Sequence, residues 1–143
     1  VTIQAQILDL LQDLVRDSDT ALLMITHDLG VVAGMCETIN VLYAGRVVET
    51  APRRVLFGQH RHPYTVGLLG SIPRLDAPRG EKLTPITGSM RDVLPWPEGC
   101  AFTPRCFNRV DACVGTPPEL RWTVAHHAYR CVNPVLEREA VAK

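Results

Sequence analysis

The sequence carries no excess of either charge: 15 Lys and Arg residues balance 15 Asp and Glu. A neutral chain lacks the basic electrostatic footprint of a nucleic-acid-binding protein, so nucleic acid is not expected as a partner. No apolar run approaches the roughly 20 residues that a membrane-spanning helix needs. No basic leader followed by an apolar stretch and a small-residue cleavage site is visible. These absences lead to the expectation of a cytosolic chain that reaches a membrane only through a partner. Internal repeats and low-complexity tracts are also missing. The 143 residues do hold 46% apolar side chains, enough for one ordinary domain or a small domain with an appendage. They also hold five cysteines, with Cys100, Cys106, Cys113 and Cys131 clustered late in the chain. In a cytosolic setting such clustering points to a metal rather than to disulfides.

The opening segment has Ile3, Ile7, Leu10, Leu11, Leu14 and Val15 at steps of three and four, with polar residues between them. That spacing predicts an amphipathic helix with Thr2 as its cap, ending at Asp17-Ser18-Asp19. Ala21 to Thr26 is a short unbroken apolar run and predicts a strand of a parallel sheet, buried on both faces. Asp28 is placed to cap a short helix holding Leu29, Val31, Val32 and Met35. Thr38 to Tyr43 and Arg46 to Glu49 predict a hairpin turning at Ala44-Gly45. Pro52 is expected to open a helix through Leu56 that ends at Gly58, and a further helix is expected from Thr65 to Ile72 before Pro73. Residues 74–99 are rich in Pro and Gly and read as an irregular arm with one short strand near Leu83 to Ile86. The cysteine-rich tail follows, with a last frayed helix from Pro134. One buried strand and a hairpin cannot cover themselves. The expected fold is therefore the C-terminal part of an α/β domain with an incomplete sheet, followed by a small irregular cysteine-rich extension. The start at Val1 fits that expectation of a truncation.

Chemistry is first expected at His27, at the carboxyl end of the predicted parallel strand, the edge where open α/β sheets bind ligands. A histidine there can hydrogen-bond a phosphate oxygen or an attacking water, with Asp28 to orient it. The plainer reading is that the pair only caps the next helix. The second candidate is the cysteine set. Five, six and seventeen residues separate Cys100, Cys106, Cys113 and Cys131. Four thiolates can close a tetrahedral Zn²⁺ site or hold a [4Fe–4S] cluster. These gaps are wider than the usual paired zinc spacing and suit a group whose irons stand apart. Zinc with His126 or His127 replacing one cysteine stays open, as do four unligated thiols. Cys36, on the apolar side of its helix, reads as a core residue. Trp96, Phe102 and Trp122 read as a small core around the cysteines.

Three ordered blocks carry a resemblance. Leu22 to Val32, with Thr26-His27-Asp28 at its centre, resembles the switch-histidine segment of ABC ATPases. Tyr43-Ala44-Gly45-Arg46-Val47-Val48-Glu49 resembles the hairpin that follows it, and Val1 to Ile7 resembles the helix after the D-loop. Arg61-His62-Pro63-Tyr64-Thr65-Val66-Gly67-Leu68-Leu69 is similar to the segment that marks oligopeptide/dipeptide importer ATPases, and the Gly99 to Cys106 and Pro118-Glu119-Leu120 stretches resemble their tail.

The resemblance implies an ABC ATPase portion over residues 1–58 and an importer-specific extension over residues 59–143. It implies that His27 contacts the γ-phosphate of ATP, with Mg²⁺ in the intact subunit. It also implies that Cys100, Cys106, Cys113 and Cys131 ligate a [4Fe–4S] cluster, with Zn²⁺ as the alternative. The implied partners are a second ATPase subunit, two membrane-spanning permease subunits and, indirectly, an extracytoplasmic solute-binding protein. The implied location is the cytoplasmic side of the membrane. The sequence has no G-x-x-x-x-G-K-[ST] loop, and the family's signature motif, Walker B strand and glutamine loop are not recognisable. Little ATP binding is therefore expected of these residues alone. A free-standing metal-binding interaction domain is the competing expectation. A thiol enzyme, with His126 or His127 approaching Cys131, is a weaker one.

Overall fold

In a computed structural model of the chain, residues 2–72, 85–89, 91 and 98–136 are described. They divide into two compact units, residues 1–37 and 38–143. The division falls ahead of the hairpin, whereas the sequence reading placed the hairpin with the first domain.

In the first unit, helix α1 spans Ile3–Asp17. The Thr2 hydroxyl accepts from the Ala5 N–H at 3.3 Å, as expected of the cap. Helix α2 spans Leu29–Met35, and the Asp28 carboxyl caps it by accepting from the Gly30 and Val31 N–H groups at 2.9 and 3.2 Å. Residues 21–26, expected as a buried parallel strand, have no regular secondary structure. Leu23 and Ile25 are 85% and 93% exposed. A strand exists only through a ladder with a neighbour, and no described strand pairs with this run. The apolar stripe of α1 is likewise uncovered: Ile3, Ile7, Leu10 and Leu14 are exposed, and no residue of the helix is buried.

The second unit is built on a four-stranded antiparallel sheet that contains the expected hairpin. Strand β1 is Thr38–Tyr43 and β2 is Arg46–Pro52. Short strands β3 (Arg121–Trp122) and β4 (Ala128–Tyr129) complete the order β1-β2-β4-β3. Alternation in β1 turns Ile39, Val41 and Tyr43 inward. In β2 the register skips Val48, because Val41 faces Glu49 while Leu42 faces Val47. The extra residue breaks the alternation, and Val48, Glu49, Thr50 and Ala51 are all buried. Helices α3 (Arg53–Gln59) and α4 (Pro63–Gly70) follow. Pro52 caps α3 from outside its first turn, and Gly58 lies within it. Pro73, the strand expected near Leu83, Trp96 and the helix expected from Pro134 lie wholly or largely outside the described residues; residues 134–136 are irregular.

The hairpin turn places Ala44 and Gly45 at φ of 50° and 73°, the left-handed pair of a type I′ turn. Alanine strains there because its Cβ crowds the following carbonyl. Ala44→Asn is therefore expected to raise stability by about 0.5–1 kcal/mol, read as a higher denaturant midpoint at unchanged slope.

Candidate functional site

An aromatic cluster ties the hairpin to the cysteine segment. The Tyr43 ring lies 4.7 Å from Tyr64 of α4 and 5.1 Å from Phe102, and Tyr64 lies 5.4 Å from Phe102. Phe102 is 2% exposed, as expected of a core residue, but Trp122 is 65% exposed and stands outside that core. The Arg105 guanidinium donates to the Thr87 and Gly88 carbonyls at 2.9 Å each and to the Tyr43 hydroxyl at 3.4 Å, pinning the 85–89 loop against the hairpin.

Backbone pairing brings the cysteines together. Gly99 bridges Val114, and the Cys100 N–H donates to the Cys113 carbonyl at 3.0 Å. Tight 3₁₀ turns at Thr103–Arg105 and Asp111–Cys113 fold the intervening chain back. The Asn108 and Asn133 side-chain amides each donate to the other's backbone carbonyl, at 2.9 and 3.0 Å, which joins the Cys106 and Cys131 segments. Cys100, Cys106, Cys113 and Cys131 consequently line one cavity with His62, Phe102, Thr103 and Asn108. Its volume is about 10 Å³, room for about one water.

Burial pushes the Cys106 thiol up to about 11, with the neighbouring Cys113 and Cys100 adding to the effect. Burial, then Cys100, Cys106 and Cys113, pushes Cys131 up to about 12. These thiols are protonated at neutral pH. A thiol nucleophile needs the opposite shift, which tells against a thiol enzyme. Thiolate formation here calls for a compensating cation.

Among the described residues no group of three or more His, Cys, Asp or Glu is arranged to hold a metal ion. All five cysteines are free. His126 and His127, considered as stand-in zinc ligands, do not line the cavity. Cys36 is half-buried at the end of α2, outside the cysteine set.

His127 has another role that the sequence did not reveal. Its Nε2 lies 2.7 Å from a Glu49 carboxyl oxygen, and Glu49 is fully buried in the sheet. The same carboxyl accepts from the Arg61 N–H at 2.6 Å and from the His62 N–H at 3.0 Å. One side chain thus joins β2, the entry to α4 and the segment before β4.

His62 caps α4: its Nδ1 accepts from the Tyr64 N–H at 3.1 Å. Its Nε2 is buried with no hydrogen-bond partner. Burial pushes its pKa down to about 4, against the smaller opposing effects of Glu49 and the Arg130 backbone.

His27 stands exposed on the bend before α2. Asp28 does not orient it, because that carboxyl caps α2.

No helix among the described residues is long and apolar enough to cross a membrane. Residues 48–113 match the family described as the oligopeptide/dipeptide transporter, C-terminal region. The match spans the Glu49 strand, the His62 segment and the first three clustered cysteines. A peptide import ATP-binding protein of Brucella ovis is 50% identical over 138 residues, 93% of this chain and 41% of that protein. The oligopeptide transport ATP-binding protein OppD of Salmonella typhimurium is 50% identical over 82% of this chain and 35% of its own length. The dipeptide transport ATP-binding protein DppD of Bacillus subtilis is 46% identical over 92% and 39%. The chain spans about two fifths of the length of the curated relatives it matches.

Proposed function

Because this chain belongs to the family of ATP-binding subunits of oligopeptide/dipeptide ABC importers, we propose that it takes part in coupling ATP hydrolysis to peptide uptake at the cytoplasmic face of a membrane. The observation that carries this reading is the identity of about one residue in two with proteins named for peptide import, across nine tenths of the chain. In this reading His27 contacts the γ-phosphate of ATP and helps align the attacking water. The phosphate cradle and Mg²⁺ ligands are supplied from beyond these residues, which hold no G-x-x-x-x-G-K-[ST] loop. The uncovered stripe of α1 and the exposed Leu23 and Ile25 support a seat against further layers of an ATPase domain. The partners are a second ATPase subunit and two permease subunits, with a solute-binding protein delivering the peptide. Uptake of labelled peptide should fall about 10²-fold in cells whose copy of the gene carries His27→Ala, while ATP photo-crosslinking to the transporter persists. Unchanged uptake overturns the assignment.

The second part of the proposal is that Cys100, Cys106, Cys113 and Cys131 hold a [4Fe–4S] cluster. Support comes from the donor chemistry: four thiols line one cavity, which must open beyond its present room for about one water to take the group. In a cluster each iron takes its own cysteine, so the sulfurs need not converge. When bound, such a cluster supplies a rigid four-point cross-link and a one-electron couple. Anaerobically purified protein should contain iron and acid-labile sulfide and absorb broadly in the visible. Protein containing zinc alone would replace the cluster with the mononuclear alternative.

A further inference from the structure

We propose that Cys100 and Cys113 are a reversible dithiol–disulfide pair: a low-molecular-weight disulfide reaches Cys100 through an open pocket beside the hairpin, and Cys113, buried behind it, closes the cross-link. The inference does not rest on the cluster reading above. The two share Cys100 and Cys113, so a cross-linked chain no longer offers the full set of four thiols for ligation.

Backbone pairing sets the two cysteines opposite one another. Gly99 bridges Val114 in the antiparallel sense. On either side of that bridge the Cys100 N–H donates to the Cys113 carbonyl at 3.0 Å and the Gly115 N–H to the Glu98 carbonyl at 3.4 Å. Cys100 and Cys113 are the next pair along, and directly opposite residues of an antiparallel ladder share a face. Both accordingly line the small cavity. A hydrogen-bonded antiparallel pair holds its Cα atoms about 5.5 Å apart, inside the range of about 4.4–6.8 Å that a disulfide spans. Gly99 permits this approach, because a Cβ there would meet the facing backbone. Thr103 fixes both residues: its N–H donates to the Cys100 carbonyl at 3.0 Å and its hydroxyl to the Cys113 carbonyl at 3.3 Å. Room for about one water is enough for a sulfur–sulfur bond, which adds no atom to the cavity.

Access separates the two roles. Cys100 also lines a second pocket of about 240 Å³, between the hairpin turn at Ala44 and Pro117-Pro118. Cys113 is 5% exposed and lines the small cavity but not this pocket. The incoming disulfide R–S–S–R therefore meets Cys100 first. The Cys100 thiolate attacks one of its sulfurs, the R–S–S–R bond breaks, and R–S⁻ leaves and takes up the proton that Cys100 gave. The Cys113 sulfur then attacks the Cys100 sulfur, loses its own proton and displaces the second R–S⁻, which departs as R–SH. Two protein thiols are oxidised, and one small disulfide is reduced to two thiols.

The test uses the full chain, stripped of any metal with a chelator and incubated with excess hydroxyethyl disulfide. Remaining thiols are then alkylated and the chain is cut with trypsin. Arg105, Arg109, Arg121 and Arg130 put Cys100, Cys106, Cys113 and Cys131 on separate peptides, so mass spectrometry reads each pairing directly. The unaltered chain should lose two of its five thiols and yield one main cross-link, between the Cys100 and Cys113 peptides, which dithiothreitol reverses. Cys113→Ser should stop at the mixed disulfide, with hydroxyethyl thiol held on Cys100. Cys100→Ser should slow loss of the Cys113 thiol about tenfold or more, since the buried partner has lost its entry point. A main product joining Cys106 to Cys131, a random mixture of pairs, or five intact thiols in the unaltered chain overturns the proposal.

Discussion

Glu49→Ala should lower the stability of the second unit by about 3–5 kcal/mol, the range for leaving two or three buried donors without their acceptor. The carboxyl is fully buried and takes three donors, from the backbones of Arg61 and His62 and from the His127 ring. Truncation leaves all three without an acceptor inside the protein, and each buried orphan costs about 1–3 kcal/mol. Water entering the space would recover part of that, which keeps the total near the lower figures. Glu49→Gln preserves an acceptor oxygen and should cost less than half as much. The check is urea unfolding followed by circular dichroism, with Glu49→Ala, His127→Ala and the double variant completing a cycle. A coupling below about 0.5 kcal/mol would mean that the two residues act independently.

Gly99→Ala should cost about 3 kcal/mol or more and abolish loading of the cysteine cavity. Gly99 has φ of +95°, where a Cβ is strained whatever the space around it. Space is also lacking. A Cβ would press against the Cys113 carbonyl oxygen and lie 3.0 Å from the Gly115 nitrogen. Both are backbone atoms of the bridge that holds Cys100 beside Cys113, so they cannot swing aside like the end of a side chain. Relief requires opening the bridge, and with it the cavity. Gly67→Ala is an instructive control. Its Cβ would come 2.7 Å from the Ile86 Cγ1, a side-chain atom that can shift without opening the Gly99 bridge, so loading should survive. Thermal unfolding and metal analysis of the two variants separate these outcomes.

The hairpin turn was legible because its signals are local, while β2 runs on to Pro52, three residues past the expected end. Ala44-Gly45 between two β-branched runs fixes turn and register together. The caps at Thr2 and Asp28 were legible for the same reason. The Ala21 to Thr26 run was misread as a strand because an apolar stretch reports that it needs cover and does not name the cover. Glu49 was passed over as an ordinary strand-end charge. Its donors lie 12, 13 and 78 residues away, beyond any periodicity. The four cysteines could be singled out by residue type and spacing alone. That His62 borders the same cavity could not, since 38 positions separate it from Cys100 and aromatic contacts of His62 and Tyr64 with Phe102 bring the two segments together. Trp122 misled by composition: a tryptophan near clustered cysteines suggests a core, but its two-residue strand lies at the sheet edge.

The pairing of β2 with β4 also sets a schedule for synthesis. Strand β2 leaves the ribosome ahead of its partner at Ala128–Tyr129, which is made 78 residues later. Closing a loop of that length costs about 4 kcal/mol of chain entropy before the contact returns anything. Until then Glu49 has neither His127 nor its sheet neighbour. The nascent hairpin should therefore wait as an open edge in need of protection, and the second unit should close in one late step once its last residues emerge.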